Sequence, residues 1–244
     1  MITASQIYDL FNKEFPFDTQ ESWDNSGLLI YSGKASEKVL VCLDVTPQAV
    51  EKAVETGAGI IVSHHPVIFG GLTEVYAGDV VYQLIKNDIS VISAHTNFDR
   101  YRYGTCYAMA DRLNMEITDT DFDFGLLAEC SEMSVQELGW QCKSAFGAAT
   151  VTLPHKKVNT VFICAGSGSG MKEEIIESGA DCFITGECKY HDMLDLAAED
   201  IAVITTGHDN SEKISVDTLA QLIKDNFEDT DVQVYIEDSL THNI

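Results

Sequence analysis

The sequence predicts an α/β fold: a duplicated pair of similar α/β units with mixed, largely parallel sheets. Three observations carry this expectation. Short apolar runs of β type alternate with stretches of helical period, the helices are bounded by caps or glycines, and the element order of the first half returns in the second. With 244 residues, 45% of them apolar, the chain has material for one large domain or two modest ones.

Thr3 and Gln6 have the spacing of a capping box, and Ile7, Leu10 and Phe11 recur at helical intervals, so a first helix is expected over residues 4–13. Val39-Leu40-Val41-Cys42-Leu43 reads as a buried strand. Thr46 as N-cap, Pro47 at the first helical position, and Val50, Ala53 and Val54 on one face then predict a helix ended by Gly57. Ile60 to Ser63 is the next strand, which makes a βαβ unit with parallel strands. Residues 79–87 read as helix and 89–94 as strand in the same sheet.

The second half repeats this order. Residues 161–165 are strand, Gly166 to Gly170 a turn, 171–178 a helix closed by Gly179, and 182–185 a strand. A slide of 122 positions lays Glu177, Gly179 and Ala180 on Glu55, Gly57 and Ala58, and a slide of 112 lays Ile201, Val203 and Ile204 on Ile89, Val91 and Ile92. The expected domains are therefore residues 1–120, joined by 209–244, and residues 121–208. Val151 to Leu153 reads as an edge strand or part of a hairpin. A last helix with Leu219, Leu222, Ile223 and Phe227 on one face precedes a strand over 232–236 that returns to the first sheet.

Histidines and carboxylates gather at the strand ends. His64 and His65 close the run Ile60–Ser63. The run Val91–Ala94 ends in His95-Thr96-Asn97-Phe98-Asp99, and Ala202–Thr205 ends in Thr206-Gly207-His208 with Glu212 four residues on. Imidazole and carboxylate together are the donor set of borderline cations such as Zn, Mn, Fe or Co, whereas calcium takes oxygen alone. His64, His65, Asp99, His208 and Glu212 are five such donors, more than one ion needs if water is also to bind. Neighbouring side chains of an extended strand point apart, so His64 and His65 reach the same ion only if the backbone turns there, and it is simpler to give each its own metal. His208 and Glu212 share a face if a helix starts after Gly207. His95, Glu187 and His191 are candidates for acid and base work or for orienting a ligand imidazole. For His95 and His191, hydrogen bonding to loop backbone is an equal alternative. Trp23 and Asp24 either line a pocket or pack and fix an entry turn.

Composition bounds the partners. The 39 acidic against 15 basic residues give a formal charge of −24, which disfavours sequence-independent nucleic-acid binding and favours solubility. No apolar stretch is long enough for a membrane span. The opening residues lack the pattern of a secretory signal, and the seven cysteines form no C-x-x-C pair, so the expected location is cytoplasmic with reduced thiols.

Trp23-Asp24-Asn25-Ser26-Gly27-Leu28, Leu43-Asp44-Val45-Thr46, Ser63-His64-His65-Pro66, His95 to Asp99, Thr185-Gly186-Glu187 with His191, and Gly207-His208 with Glu212 occur in the order seen in the Nif-three-like family. Nearly the whole chain resembles that family, whose members are often labelled type 2 homologues of GTP cyclohydrolase I. The resemblance implies a dinuclear metal centre between two similar α/β halves, with His64, His65, Asp99, His208 and Glu212 as ligands. It implies a toroidal homohexamer, and a metal-dependent hydrolase acting on GTP or another nucleotide. The rival expectation is a non-catalytic, metal-stabilised ring with a regulatory or partner-binding role.

Overall fold

Helix starts and stops follow from local chemistry. The Thr3 hydroxyl accepts from Gln6 N while Gln6 Oε1 accepts from Thr3 N, which satisfies two otherwise orphaned amides. Thr46 caps Ala49 N, Pro47 takes the first helical position, and Gly57 ends that helix at φ 75°. The computed structural model describes residues 1–237.

In chain order the elements begin β1 (Ile2–Thr3), α1 (Ala4–Glu14), β2 (Gly27–Ile30), β3 (Ala35–Ser36), β4 (Lys38–Cys42), α2 (Pro47–Thr56), β5 (Ile60–Ser63), α3 (Val80–Lys86), β6 (Ser90–Ser93) and α4 (Thr96–Asp99). There follow α5 (Thr105–Arg112), β7 (Glu116–Asp119), β8 (Leu126–Ser134), α6 (Val135–Phe146), β9 (Thr150–Val151), β10 (Lys157–Ser167), α7 (Lys172–Glu177), β11 (Cys182–Glu187), α8 (Tyr190–Ala198), β12 (Ala202–Thr205), α9 (His208–Asn226) and β13 (Asp231–Tyr235).

The first compact unit holds Met1–Tyr101 and Ser215–Glu237. Its five-stranded sheet has the order β13-β4-β5-β6-β2, parallel except for β2. Alternate residues of each strand serve opposite faces. Val39, Val41, Ile60 and Val62 pack with Ile7 and Phe11 of α1 and Leu219 and Ile223 of α9. Leu40, Cys42 and Ile61 pack with Val50 and Ala53 of α2 and Leu84 of α3. Both faces are covered, which is why these strands read as unbroken apolar runs.

The second unit includes Arg102–Ile214. Its sheet has the order β7-β8-β10-β11-β12-β9, with β10, β11 and β12 parallel and the other pairings antiparallel. Val161, Ile163 and Ile184 pack with Met109 of α5 and Leu138 of α6, while Phe162 and Phe183 pack with Ile175 of α7 and Leu196 of α8.

Each unit thus contains three parallel strands joined by helices, with an antiparallel edge strand beside the third. A helix also opens just past that third strand in each case, α4 after β6 and α9 after β12.

Several details differ from the sequence expectation. The sequence puts the division near residue 120; the structure puts it at Tyr101/Arg102 and again inside α9, because Cys106, Met109 and Ala110 of α5 pack into the second core. The strand read over 161–165 runs from Lys157 to Ser167, and a 3-10 turn, Gly168–Met171, takes up the rest of the expected glycine turn and the first residue of the expected helix. The expected return strand near the C-terminus is β13, parallel to β4, and the expected edge strand at 151 is β9, antiparallel to β12. All seven cysteines are free, five of them buried. Among the described residues no helix is long and apolar enough to cross a membrane.

Candidate metal centre

The parallel strands of each unit end on a cluster of imidazoles and carboxylates. In the first unit β5 gives way to His64 and His65, whose amides still bond to the Cys42 and Leu43 carbonyls at 3.2 and 3.0 Å. His64 is fully buried, and its Nδ1 lies 2.9 Å from the Ala94 carbonyl. A carbonyl only accepts, so Nδ1 carries the proton and Nε2 presents the lone pair. That Nε2 lies 3.6 Å from Asp99 Oδ1. His65 Nδ1 donates to Asp44 Oδ1 at 2.8 Å, and His95 Nδ1 to Asp24 Oδ1 at 2.9 Å. One ring nitrogen from each of His64, His65 and His95 lies within 4.8 Å of the others.

Asp24 is the brace of this group. Its carboxylate accepts from the Thr96 amide, the Thr96 hydroxyl and the Ser26 hydroxyl as well as from His95. Burial alone would push this carboxyl up; the hydrogen bonds from His95 and Thr96 outweigh it and hold Asp24 well below the usual carboxylate range.

In the second unit His208 opens α9 directly after Gly207, with Glu212 one turn on. His208 Nδ1 donates to Glu187 Oε1 at 3.1 Å, and Nε2 sits 3.1 Å from Glu212 Oε2. Bonding to Glu212, against the opposing effect of partial burial and with help from Glu187, pushes His208 up to about 9. The Nε2 proton therefore stands where a cation would sit between imidazole and carboxylate. The glycines make room. A Cβ on Gly166, at φ +59°, would come 2.1 Å from Glu212 Oε1, and one on Gly186 would come 2.9 Å from His208 Cα. Ser211 ties them together, accepting from Gly166 N and donating to the His208 carbonyl.

These donors fit a divalent metal. His64, His65 and His208 each engage an acceptor through Nδ1 and so turn Nε2 to the ligating role, the arrangement by which outer hydrogen bonds fix the tautomer of a metal-bound histidine.

A family model described as DUF34/NIF3 (NGG1p interacting factor 3) matches residues 2–242. The chain belongs to this family. Among DUF34/NIF3 relatives, a Campylobacter jejuni protein named GTP cyclohydrolase 1 type 2 homolog is 33% identical over 231 residues, covering 90% of this chain and 91% of its own length. A Helicobacter pylori protein named GTP cyclohydrolase 1 type 2 is 31% identical over 227 residues, covering 87% and 88%. The fold is similar to the crystal structure of a Staphylococcus aureus hypothetical protein, with a TM-score of 0.89 at 26% identity over 100% of this chain and 99% of that one.

The remaining motif residues take varied positions. Glu187 stands beside His208, whereas His191 is 71% exposed on the first turn of α8, its Nε2 3.5 Å from Asp192. Arg100 bonds to Glu21 and to the Thr19 carbonyl, and Arg102 lies over the Tyr103 ring. Sequence reasoning did not assign Asp44 as the partner of His65, nor Asp24 as that of His95. Both lie in the motif segments, and the available signal was a carboxylate just past a strand end or in an entry turn.

Proposed function

We propose that His64, His65, Asp99, His208 and Glu212 hold two divalent metal ions, and that the protein is a cytoplasmic metal-dependent hydrolase acting on a nucleotide. The observation that carries this reading is the common setting of His64, His65 and His208, each tied through Nδ1 to an acceptor. Zn, Fe, Mn and Co all suit the donors. When bound, the ions supply Lewis acidity that makes water a nucleophile near neutral pH and stabilises charge on the attacked centre.

The chain's own residues do the rest. Asp44 and Glu187 keep His65 and His208 in place. His95, held by the ionised Asp24, is positioned to exchange a proton at Nε2. Exposed His191 is a further candidate for proton exchange. The names of the Campylobacter and Helicobacter relatives suggest GTP, opened at a carbon of its purine ring, as the substrate. The shared order of elements, with His95 and Asp99 at one helix start and His208 and Glu212 at the other, supports two copies of one ancestral unit. The ring-shaped hexamer implied by the family resemblance is part of the proposal and is read by light scattering.

Elemental analysis of natively purified protein, followed by a nucleotide hydrolysis screen on the same preparation, tests the reading. About two equivalents of transition metal per chain and turnover that falls in His95→Ala or His191→Ala with metal retained are expected. Less than about one equivalent after reconstitution counts against the centre. Full metal loading without turnover of any nucleotide favours a metal-stabilised ring that binds a partner.

A further inference from the structure

Trp23 has no part in the machinery described so far. It is 55% exposed, and Phe69, on the loop after Pro66, is 57% exposed. The segments that carry both rings are nevertheless held in place. Asn25 Nδ2 donates to the Ile68 carbonyl at 2.6 Å, tying the segment of one ring to that of the other, and the braced Asp24 is the residue next to Trp23.

Trp23 and Phe69 touch, with centroids 5.9 Å apart, and they approach the His95 ring steeply inclined, at 5.9 and 6.3 Å. His95 in turn contacts His64 and His65 at 5.2 and 5.3 Å. Aromatic surface therefore runs without a break from solvent to the ligating nitrogens. A third ring does not fit between Trp23 and Phe69, since a sandwich needs roughly 7 Å, twice the carbon contact distance. A ligand ring must lie on their outward faces.

We propose that Trp23 and Phe69 form a stacking wall that holds a planar, nucleobase-sized nitrogen heterocycle of the substrate with its edge toward His95. The inference rests on reading the histidine cluster as the place where substrate is met. Flat aromatic faces favour a flat ligand, and every base has such a face. The polar edge of a heterocycle matches the imidazole at the foot of the wall, which a plain hydrocarbon ring would leave unpartnered. With 39 acidic against 15 basic residues, the chain offers little general attraction to phosphates, so ring recognition must supply more of the affinity.

The chain has two tryptophans, so Trp140→Phe, on α6 of the second unit, makes Trp23 the sole indole. This protein, metal-free and zinc-loaded, is titrated with guanosine, adenosine and ribose 5-phosphate. Saturable quenching by a nucleoside and none by ribose 5-phosphate is expected. By calorimetry the nucleoside Kd should weaken about 5- to 100-fold in Trp23→Ala and in Phe69→Ala, and recover in Trp23→Phe, with zinc content unchanged. The proposal is overturned if neither nucleoside saturates, if ribose 5-phosphate competes equally, or if Trp23→Ala binds nucleoside normally. Normal nucleoside binding by Trp23→Ala with a lost oligomer would assign the wall to subunit contact instead. Nucleoside binding at the wall of a metal-loaded protein that turns over no nucleotide supports this inference and removes the hydrolase reading, so the two fail separately.

Discussion

Gly166→Ala tests Glu212 as a metal ligand without removing any donor atom. The added methyl carbon would sit 2.1 Å from Glu212 Oε1, 3.1 Å from its Cδ and 3.4 Å from His208 Nε2. A carbon-to-oxygen contact settles at roughly 3.3 Å or more, so the carboxylate must retreat by on the order of 1 Å. Glu212 is only 4% exposed, which leaves it little space in which to do so. The left-handed backbone at φ +59° adds strain of about 1–2 kcal/mol for a residue with a Cβ, a loss of roughly 2–8 °C in Tm for a chain of this size. Gly179→Ala isolates that strain, since Gly179 has φ +72° and nothing within 4 Å of an added Cβ. Both variants should lose the backbone term, and Gly166→Ala should lose more by the cost of the clash. Only Gly166→Ala should lose metal at the His208–Glu212 pair, by more than the 10- to 100-fold typical of disturbing an outer partner. Chelator competition and elemental analysis read the difference. Equal metal affinity in the two variants would refute Glu212 as a ligand.

Three further outcomes follow from the same geometry. Asp44→Ala removes the acceptor at 2.8 Å from His65 Nδ1 and should weaken metal binding about 10- to 100-fold in chelator competition, with little change in unfolding. His208, pushed up to about 9, is protonated at pH 7.5 and must give up that proton to a metal. Calorimetry in buffers of different ionisation enthalpy should therefore show release of about one proton from this site, and affinity should rise roughly tenfold per pH unit until His208 titrates. In the metal-free protein the stabilisation from this raised pKa is full below the ordinary histidine range and fades as pH rises through about 9. Asp24→Asn should cost on the order of 3 kcal/mol at pH 7, because charge-assisted bonds to a fully buried side chain are lost. The sign is that of a depressed carboxylate, so the gap between wild type and variant in urea unfolding should close as pH falls below about 4, and a constant gap would refute the assignment.

Where the fold could be read in advance, the signals were local. Thr46, Pro47 and Gly57 bracket α2, and the apolar runs of β4, β5 and β6 announce strands covered on both faces. The stretch from 121 to 155 was opaque for a physical reason. The nine-residue β8 carries Glu129, Ser131 and Glu132 and pairs with shifted register on both sides, so no clean period of two survives. The 12-residue α6 beyond it did carry a signal, the reciprocal cap of Ser134 with Glu137.

The site shows the same divide between local and topological information. His208 and Glu212, four apart on one helix, are legible from spacing, whereas Asp44 and His65 are 21 positions apart and meet only through strand register. Cys42 pairs with Ser63, and advancing both strands by two residues sets Asp44 beside His65. The second unit uses the same device one strand further along. Thr185 pairs with Thr205, which sets Glu187 level with Gly207, and His208 is the next residue, 21 positions from Glu187. A carboxylate just past one parallel strand orients an imidazole just past the next. The two units do not place it on equivalent strands. His65 stands two residues past the end of β5, whereas β11 itself ends in the orienting carboxylate of Glu187. A slide of 122 positions lays Glu187 on His65, and the parallel register shows what each side chain does there.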